Sequence, residues 1–346
     1  LHSVHLCTQV HISGGGVVWL GVVSVLMILR RVHAFRQRNL PDHHFPGLTR
    51  GRAGELRTAL RRTLAEKGAT VRFDGRHAII EHPRRGRVTV NLENLLGDVA
   101  SSQHPKAART MARAFVTTVL EDEHAEDLGT ADLYAGLRLR LAPTKNLVPE
   151  EADIVASATL NEFTADTAVT LVLDTERSIQ TMPLARLREV DSLDTLVRAA
   201  RNNLRGELLG ARVHAQNHPG SEQRPGARFR SFESGSYYVA SAPILLEEVL
   251  RAWAPDLDQS RGVLFAVPSR HILLARDIST GEDLLQGLGR LAPVAAQLAV
   301  DGPHTVSPLL HMWHEGEVST LSSFDPQARE LKISPTPYLM DLIARG

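Results

Sequence analysis

The chain has 346 residues, of which 43% are apolar and 23% are charged, and its 39 basic residues balance its 39 acidic residues. These values exclude an intrinsically disordered chain, and the zero net charge argues against a dedicated nucleic-acid-binding protein, which would carry a positive field. The single cysteine, Cys7, excludes a disulfide scaffold and a thiolate metal cluster, and it is typical of a reducing compartment.

An apolar segment near the N-terminus has the length of a membrane-spanning helix. Residues 14–29 carry no charge, and extension back to residue 10 gives about twenty residues, enough to cross the hydrocarbon core of a bilayer. Arginines follow at once, at residues 30–38, so the positive-inside rule would place the rest of the chain in the cytoplasm. The alternative is a native start at Met27, which would remove most of the segment.

The next part of the chain is predicted to combine helices with a hairpin. Residues 40–48 form a linker rich in proline and histidine. A helix ending before Gly68 follows, and its predicted buried positions are Ala53, Leu56, Leu60 and Leu64. Strands then flank a turn at residues 74–76. A second helix is predicted over residues 105–120, with buried positions Ala108, Met111, Phe115 and Val119.

From Leu133 the pattern changes to strands. Residues 133–141 alternate between apolar and polar side chains, and further strands are predicted over 154–160, 168–174 and 177–182. Asp191 and Ser192 then begin a helix, because a polar cap precedes apolar residues at helical spacing. Residues 214–226 are predicted to form a flexible polar loop.

The last third of the chain has the strongest local signals. Ser241 is the predicted N-cap of an amphipathic helix. The continuous apolar runs 262–267 and 271–275 predict strands that are buried on both faces. A helix follows over residues 281–299, with a kink or break at Pro293, and a hairpin turns at Glu315 and Gly316.

These elements predict an α+β fold with mixed or antiparallel sheets, flanking helices and two sub-domains. The predicted divisions are a leader or transmembrane segment over 1–39, the linker over 40–48, a helix-plus-hairpin part over 49–130 and a larger α+β part over 131–346.

Within the larger part the chain resembles the YtpQ-like family of bacterial proteins of unknown function. The resemblance rests on the sequences AARNNLRGEL, YYVASAPILLEEV and LFAVPSRHILLARDI, and on the residues Trp313 to Gly316. It implies a mixed α+β fold and a cytoplasmic protein without a transmembrane segment, and it implies no reaction. The chain departs from the family where it has Arg270 and His271 after the proline strand break, a place where an acidic residue is frequent.

No segment carries a coherent catalytic, metal or nucleotide motif. His311, His314 and Glu315 have zinc-ligand chemistry, but residues three apart on a strand point to opposite faces, so we expect one half-buried and one turn histidine. Gly287 and Gly289 lie in a helical pattern and do not follow a strand, so they do not predict a nucleotide-binding loop. We therefore predict no catalytic residue, metal or cofactor.

One group of polar residues is predicted to bind a ligand or partner. Asn203 and Arg205 end one predicted helix, Ser241 begins another, and Arg270 with His271 follows the strand break, so packing of these elements would line one cleft. The alternative is that these side chains only satisfy turn and cap hydrogen bonds.

The sequence thus favours a non-catalytic cytoplasmic binding or interaction module for an unidentified protein or small molecule. A first alternative is a hydrolase that uses a cleft near Ser241, Arg270 and His271. A second is a domain tethered to the membrane through residues 10–29, whose arginine-rich hairpin at residues 84–87 touches anionic lipid.

Overall fold

The computed structural model describes residues 39–345 except 43–44, 46, 75–76, 84–85, 105, 122–128, 148, 176–178, 303 and 326–329. The predicted membrane segment, residues 10–29, lies outside the described residues. Among the residues that are described, no helix has both the length and the apolar character needed to span a bilayer.

The chain divides into two compact units, Leu1–Arg113 and Ala114–Gly346, which are described separately below. The bounds predicted from the sequence remain predictions. Both units contain helices and sheets, and every strand pairing in the described part of the chain is antiparallel. The protein therefore has the predicted α+β fold, with antiparallel sheets.

The first unit is a three-stranded meander with helices on either side of it in sequence. Its elements are α1 (Arg50–Glu66), β1 (Thr70–Asp74), β2 (His77–His82), β3 (Gly86–Asn91), α2 (Glu93–Ser101) and the beginning of α3 (Ala107–Glu121). The strands pair in the order β1-β2-β3. The Asp74–His77 pair closes the first hairpin, as the turn residues predict.

Helix α1 forms as its sequence predicts. The Thr49 hydroxyl accepts a hydrogen bond from the Arg52 N–H at the start, and Gly68 takes a positive φ of 76° after the end. All four predicted core positions of this helix are buried. Residues of the predicted linker also pack inside this unit, because Phe45 and Leu48 are both buried.

Two helices in this part of the chain differ from the expectations, and the second of them, α3, continues into the second unit. Helix α2 was not anticipated, and the buried stripe of α3 is rotated from the expected one. The buried side chains of α3 are Ala107, Ala108, Ala112, Val116 and Leu120. Met111, Phe115 and Val119 are half-buried. A choice between adjacent apolar stripes depends on the neighbouring elements, because both have helical spacing.

The second unit carries the remaining elements. These are α4 (Thr130–Gly136), β4 (Leu137–Pro143), α5 (Pro149–Ala158), β5 (Thr159–Glu162), β6 (Thr167–Asp174), β7 (Ile179–Thr181), α6 (Leu184–Leu187), α7 (Leu193–Gly210), β8 (His214–His218), a short 3-10 helix (Pro225–Ala227), β9 (Phe229–Glu233), a second 3-10 helix (Val239–Leu245), α8 (Leu246–Trp253), β10 (Val263–Ser269), β11 (Ile272–Asp277), α9 (Gly281–Asp301), β12 (His311–His314), β13 (Glu317–Thr320), β14 (Ser322–Asp325), β15 (Glu330–Ile333) and α10 (Pro337–Ala344).

The main sheet of this unit has the order β13-β12-β10-β11-β9-β8. Its central strands are buried on both faces, as the continuous apolar runs predict. Phe265 and Leu273 face one hydrophobic core, which includes α7 and α8, whereas Leu264 and Leu274 face a second core against α9 and α10. Residues 214–218, which were predicted to be loop, form the edge strand β8.

A smaller sheet has the order β4-β6-β5, with β7 also paired to β6. Strands β4 and β5 begin later than predicted, because residues 130–136 form α4 and residues 149–158 form α5. On β4 the leucines 137, 139 and 141 are buried, while Arg138 and Arg140 lie on the opposite face of the strand. Helix α7 begins at the predicted cap, where the Ser192 hydroxyl accepts a hydrogen bond from the Thr195 N–H.

The 3-10 helix Val239–Leu245 connects the two sheets. The Ser241 hydroxyl accepts a hydrogen bond from the Leu141 N–H at 3.0 Å, which satisfies one N–H on the free edge of β4. The Ala240 N–H donates to the carbonyl of Arg270 at 3.1 Å, at the turn between β10 and β11. The prediction that Ser241 is an N-cap is therefore wrong, since Ser241 lies within this 3-10 helix and α8 begins at Leu246.

The helix and the hairpin that were predicted for the end of this unit are confirmed, but the helix does not break at Pro293. Helix α9 runs from Gly281 to Asp301 as one helix with Pro293 inside it. The predicted hairpin turns at Glu315 and Gly316, which both take positive φ angles, between β12 and β13.

Candidate functional site

Three of the five predicted binding residues have structural partners, and the other two come together with an exposed aromatic residue. Asn203 lies in α7, and its side-chain amide donates to three backbone carbonyls at the end of α4: those of Tyr134 at 2.7 Å, Ala135 at 3.3 Å and Leu137 at 2.9 Å. Carbonyls in the last turn of a helix lack partners within that helix, so Asn203 serves as a cap that is supplied by another helix. This role matches the alternative that the sequence left open, in which these polar side chains only satisfy turn and cap hydrogen bonds.

Arg205 also has a structural partner. Its Nε donates to a Glu248 carboxylate oxygen at 2.5 Å, and a second nitrogen donates to the side chain of Asn202 at 3.1 Å. The Arg205–Glu248 pair links α7 to α8, and both side chains remain about two-fifths exposed. The ion pair joins two helices and is not directed toward Arg270 or His271.

Ser241 cannot act as an accessible nucleophile in this conformation. The residue is 1% exposed, and its hydroxyl is occupied by the β4 backbone. A nucleophilic serine needs a base within hydrogen-bonding distance and room for a substrate carbonyl. In the described part of the chain its hydroxyl bonds only to the Leu141 N–H.

Arg270 and His271 come together with an exposed aromatic residue. The Arg270 Nε donates to His271 Nε2 at 2.9 Å, and the guanidinium stacks on the ring of Tyr237 at 4.3 Å from its centroid. Because Nε2 accepts, the proton of the neutral imidazole lies on Nδ1, which donates to the Ser236 carbonyl at 3.0 Å. Arg270 is 7% exposed, whereas Tyr237 is 46% exposed.

His304 lies beside this group, and Arg140 acts on His304 electrostatically. The rings of His271 and His304 lie 6.1 Å apart, and the Arg270 N–H donates to the His304 carbonyl at 3.2 Å. Burial, and after it the charge of Arg270, lowers the pKa of His304 to about 4, and Arg140 contributes in the same direction. We call Tyr237, Arg270, His271, His304 and Arg140 the Tyr237 site.

His304 also has an unusual backbone. Its φ is 62°, in the left-handed region that residues other than glycine rarely adopt. Such conformations cost free energy and are concentrated at binding and catalytic sites. Here the conformation places the His304 carbonyl on the Arg270 N–H, and so fixes the loop after α9 against the turn between β10 and β11.

A second polar cluster is buried between β12 and the loop before β6. The Ser307 hydroxyl donates to the Asp166 carboxylate at 2.7 Å and lies 3.3 Å from His311 Nε2, while His311 Nδ1 lies 3.3 Å from the Thr320 hydroxyl. Burial raises the pKa of Asp166 and lowers that of His311 to about 3. Serine stands between the acid and the histidine, so this is not the arrangement of a catalytic triad, in which histidine is central.

The two histidines of β12 have different surroundings. His311 is fully buried, and His314 is half-buried with its ring stacked on Tyr338 at 4.2 Å between centroids. The expectation of one half-buried and one turn histidine is therefore wrong for His311, which is fully buried in a strand. Among the described residues, no three His, Cys, Asp or Glu side chains converge where a metal ion could bind.

The glycines that do not predict a nucleotide-binding loop have a packing role. Gly287 lies in α9 against the guanidinium of Arg276, which is 1% exposed. Arg276 donates to the Asp277 carbonyl at 3.0 Å, the Ser279 hydroxyl at 2.9 Å and the Asp283 carboxylate at 3.0 Å. A side chain at residue 287 would occupy the volume of the arginine, whereas Gly289 has open space around it.

Sequence reasoning selected Arg270 and His271 but missed the other three members of the Tyr237 site. The aromatic residue beside the polar turn 234–236 was a usable signal, because an exposed tyrosine next to arginine is common at interfaces. Arg140 and His304 gave no local signal, since each sits in a sequence that is ordinary for its strand or loop. Comparison with protein-family models, curated protein sequences and solved structures found no match.

Proposed function

We propose that the protein is a non-catalytic binding module and that the Tyr237 site is its binding surface. The observation that carries this proposal is the stacking of exposed Tyr237 on a largely buried arginine, Arg270, which His271 holds in place. Tyrosine and arginine are enriched among the residues that supply most of the free energy of association. A side chain fixed before binding loses little conformational entropy when a partner arrives.

The same geometry favours binding over the hydrolase alternative. Hydrolysis at this position would need a nucleophile, and the Ser241 hydroxyl is buried and bonded to a backbone N–H. The His271 Nε2 atom, which a general base would use, accepts a hydrogen bond from Arg270. Ser241 is therefore not placed to act as a nucleophile, and His271 is not placed to act as its base.

We also propose that the module works in the cytoplasm and is related to the YtpQ-like family. The single cysteine in the sequence supports the first of these proposals, and the four sequence segments quoted above support the second. The membrane-tethered alternative concerns residues 10–29 and stays a prediction.

The test is to isolate the tagged full-length chain from its native cells and to identify the proteins and small molecules that it retains. Tyr237→Ala should reduce retention of the true partner by roughly thirtyfold, which corresponds to the loss of about 2 kcal/mol at an interface hot spot. Leu285→Ala is the matched control, because Leu285 is 44% exposed and Tyr237 is 46% exposed. The control should retain the partner.

Two outcomes would contradict the proposal. One is an identical set of retained molecules for the wild type, Tyr237→Ala and Leu285→Ala. The other is saturable turnover in a broad hydrolase and transferase screen that Arg270→Gln abolishes, since this would make the site catalytic.

A further inference from the structure

The charge balance of the whole chain is the sum of two opposite halves. Residues 1–113, the first unit, carry 18 arginines and lysines against 7 aspartates and glutamates, a net charge of +11. Residues 114–346 carry 21 against 32, a net charge of −11. A chain without net charge therefore contains a basic unit, and such asymmetry between halves is typical of a unit that binds a nucleic acid or a membrane surface.

Helices α1 and α3 line a groove in this basic unit. The groove has a volume of about 580 Å³, and its lining includes the small residues Gly51, Gly54 and Ala59 of α1. A Cβ atom at Gly54 would meet no atom within 4 Å, so there is open space at this point. A ligand can therefore approach the backbone of α1 closely.

The lining carries an excess of positive charge. It contains four arginines and two glutamates, which leaves a net charge of +2. Arg62 pairs with Glu66 at 3.0 Å, so Glu55 is the remaining acid of the lining. Arg109 and Arg113 are exposed and lie one turn apart on α3. Within the described residues neither of their guanidinium groups forms an ion pair or a hydrogen bond, so both are available to a ligand.

The side chains of the lining favour a phosphate backbone over a peptide or a membrane. A docked amphipathic helix needs large apolar side chains in its groove, and the described residues of the lining include none. A bilayer surface is flat and is met by projecting residues, whereas Arg109 and Arg113 line a concavity. The same lining residues include no aromatic ring on which an unpaired base could stack. Contacts from guanidinium groups to phosphate oxygens need none of these features.

We propose that the first unit binds the phosphate backbone of a nucleic acid along the groove between α1 and α3, without reading the base sequence. Arg109 and Arg113 would donate charge-assisted hydrogen bonds to phosphate oxygens. The small residues of α1 would let the strand lie close to the helix. This function is separate from the Tyr237 site, which lies in the second unit.

The test is binding of the full-length chain to a short fluorescein-labelled DNA duplex, followed by fluorescence anisotropy at several sodium chloride concentrations. The logarithm of the binding constant should fall linearly with the logarithm of the salt concentration, because each phosphate contact releases counterions. Arg109→Gln combined with Arg113→Gln should weaken binding roughly tenfold and reduce the magnitude of this slope by about 2. The effect should be the same for a second duplex of unrelated sequence.

Arg198→Gln combined with Arg201→Gln is the matched control, because it removes two exposed arginines from α7 in the second unit. It should leave the affinity and the slope unchanged, as should Tyr237→Ala. Gly54→Gln tests the groove itself, since it fills the open space without changing the charge, and it should weaken the binding of both duplexes. Circular dichroism verifies the fold of each variant.

The proposal is overturned if neither duplex binds saturably at low salt, or if the double variant of α3 keeps the wild-type slope. Tighter binding to vesicles of phosphatidylserine and phosphatidylcholine would assign the basic unit to a membrane surface. Equal competition by polyglutamate at the same concentration of charge would assign the groove to acidic protein. Either result would overturn the proposal as well. Retention of a partner that depends on Tyr237, without any binding of the duplexes, would overturn this inference alone and leave the function proposed above intact.

Discussion

Replacement of His311 by glutamine should make the protein markedly less sensitive to acid. In the unfolded chain this imidazole takes up a proton near its ordinary pKa of 6.5, but burial holds its pKa in the folded protein at about 3. Between these two values the unfolded state binds more protons, so the free energy of unfolding falls as the pH falls. The loss begins below about pH 6.5 and is complete near pH 3.

The size of the effect follows from the same two values. Each pH unit costs about 1.4 kcal/mol, so acidification from pH 7 to about pH 4.5 should cost about 2.7 kcal/mol through His311 alone. Domains of ordinary stability have about 5 to 15 kcal/mol in total. The loss is therefore large enough to measure, and the His311→Gln chain should lack it.

Other groups titrate in the same range and have to be separated from His311. His304, with a pKa of about 4, destabilises the fold in the same direction, but it is present in both chains. The raised pKa of Asp166 acts in the opposite direction, because the folded carboxyl group takes up its proton first on acidification. Asp166→Asn in both backgrounds removes that contribution.

The assay is urea unfolding followed by circular dichroism at several pH values between 7 and 4.5. The difference in free energy of unfolding between the wild type and His311→Gln should move by about 2.7 kcal/mol in favour of the variant over this range. A difference that stays constant with pH would refute the reasoning, since it would mean that the buried imidazole takes up its proton in the folded and unfolded states alike.

Three further predictions concern stability and can be measured by the same urea unfolding at pH 7. Ser241→Ala should cost about 1 to 3 kcal/mol because it leaves a buried backbone N–H of β4 without an acceptor, and an unchanged midpoint would contradict the geometry. Gly287→Ala should cost about 1 to 3 kcal/mol because the methyl group overlaps the buried Arg276 side chain, whereas the control Gly289→Ala should be neutral or stabilise by up to about 1 kcal/mol; equal effects would refute the packing argument. Asn203→Asp should destabilise more than Asn203→Ala, because a carboxylate would face three carbonyl oxygens, and the reverse order would show that the amide does not donate to them.

The elements that the sequence predicted well are those whose signal is local. Strands β10 and β11 are continuous apolar runs, and α7 begins with a serine cap before a regular apolar stripe. Short segments were harder. Leu133 and Gly136 are both buried and three residues apart, which is the spacing of a helix, whereas in the expected strand they would lie on opposite faces.

The site was less predictable than the fold, because it depends on contacts between distant segments. Ser241 has the local setting of a helix cap, but its hydroxyl accepts from Leu141, a partner 100 residues earlier in the chain. The 3-10 helix Val239–Leu245 links the edge of β4 to the turn after β10, because its Ser241 hydroxyl accepts from the Leu141 N–H and its Ala240 N–H donates to the Arg270 carbonyl. No local pattern contains that information, since it arises when the two sheets pack.

The position of the 3-10 helix Val239–Leu245 along β4 also bears on solubility. β4 lies at the outer side of its sheet, where unpaired backbone groups invite strand addition by another copy of the chain. With a serine hydroxyl on the Leu141 N–H and a proline, Pro243, in the same short helix, this border offers a poor template for intermolecular pairing. Mutations that detach the segment would therefore be expected to promote aggregation as well as unfolding.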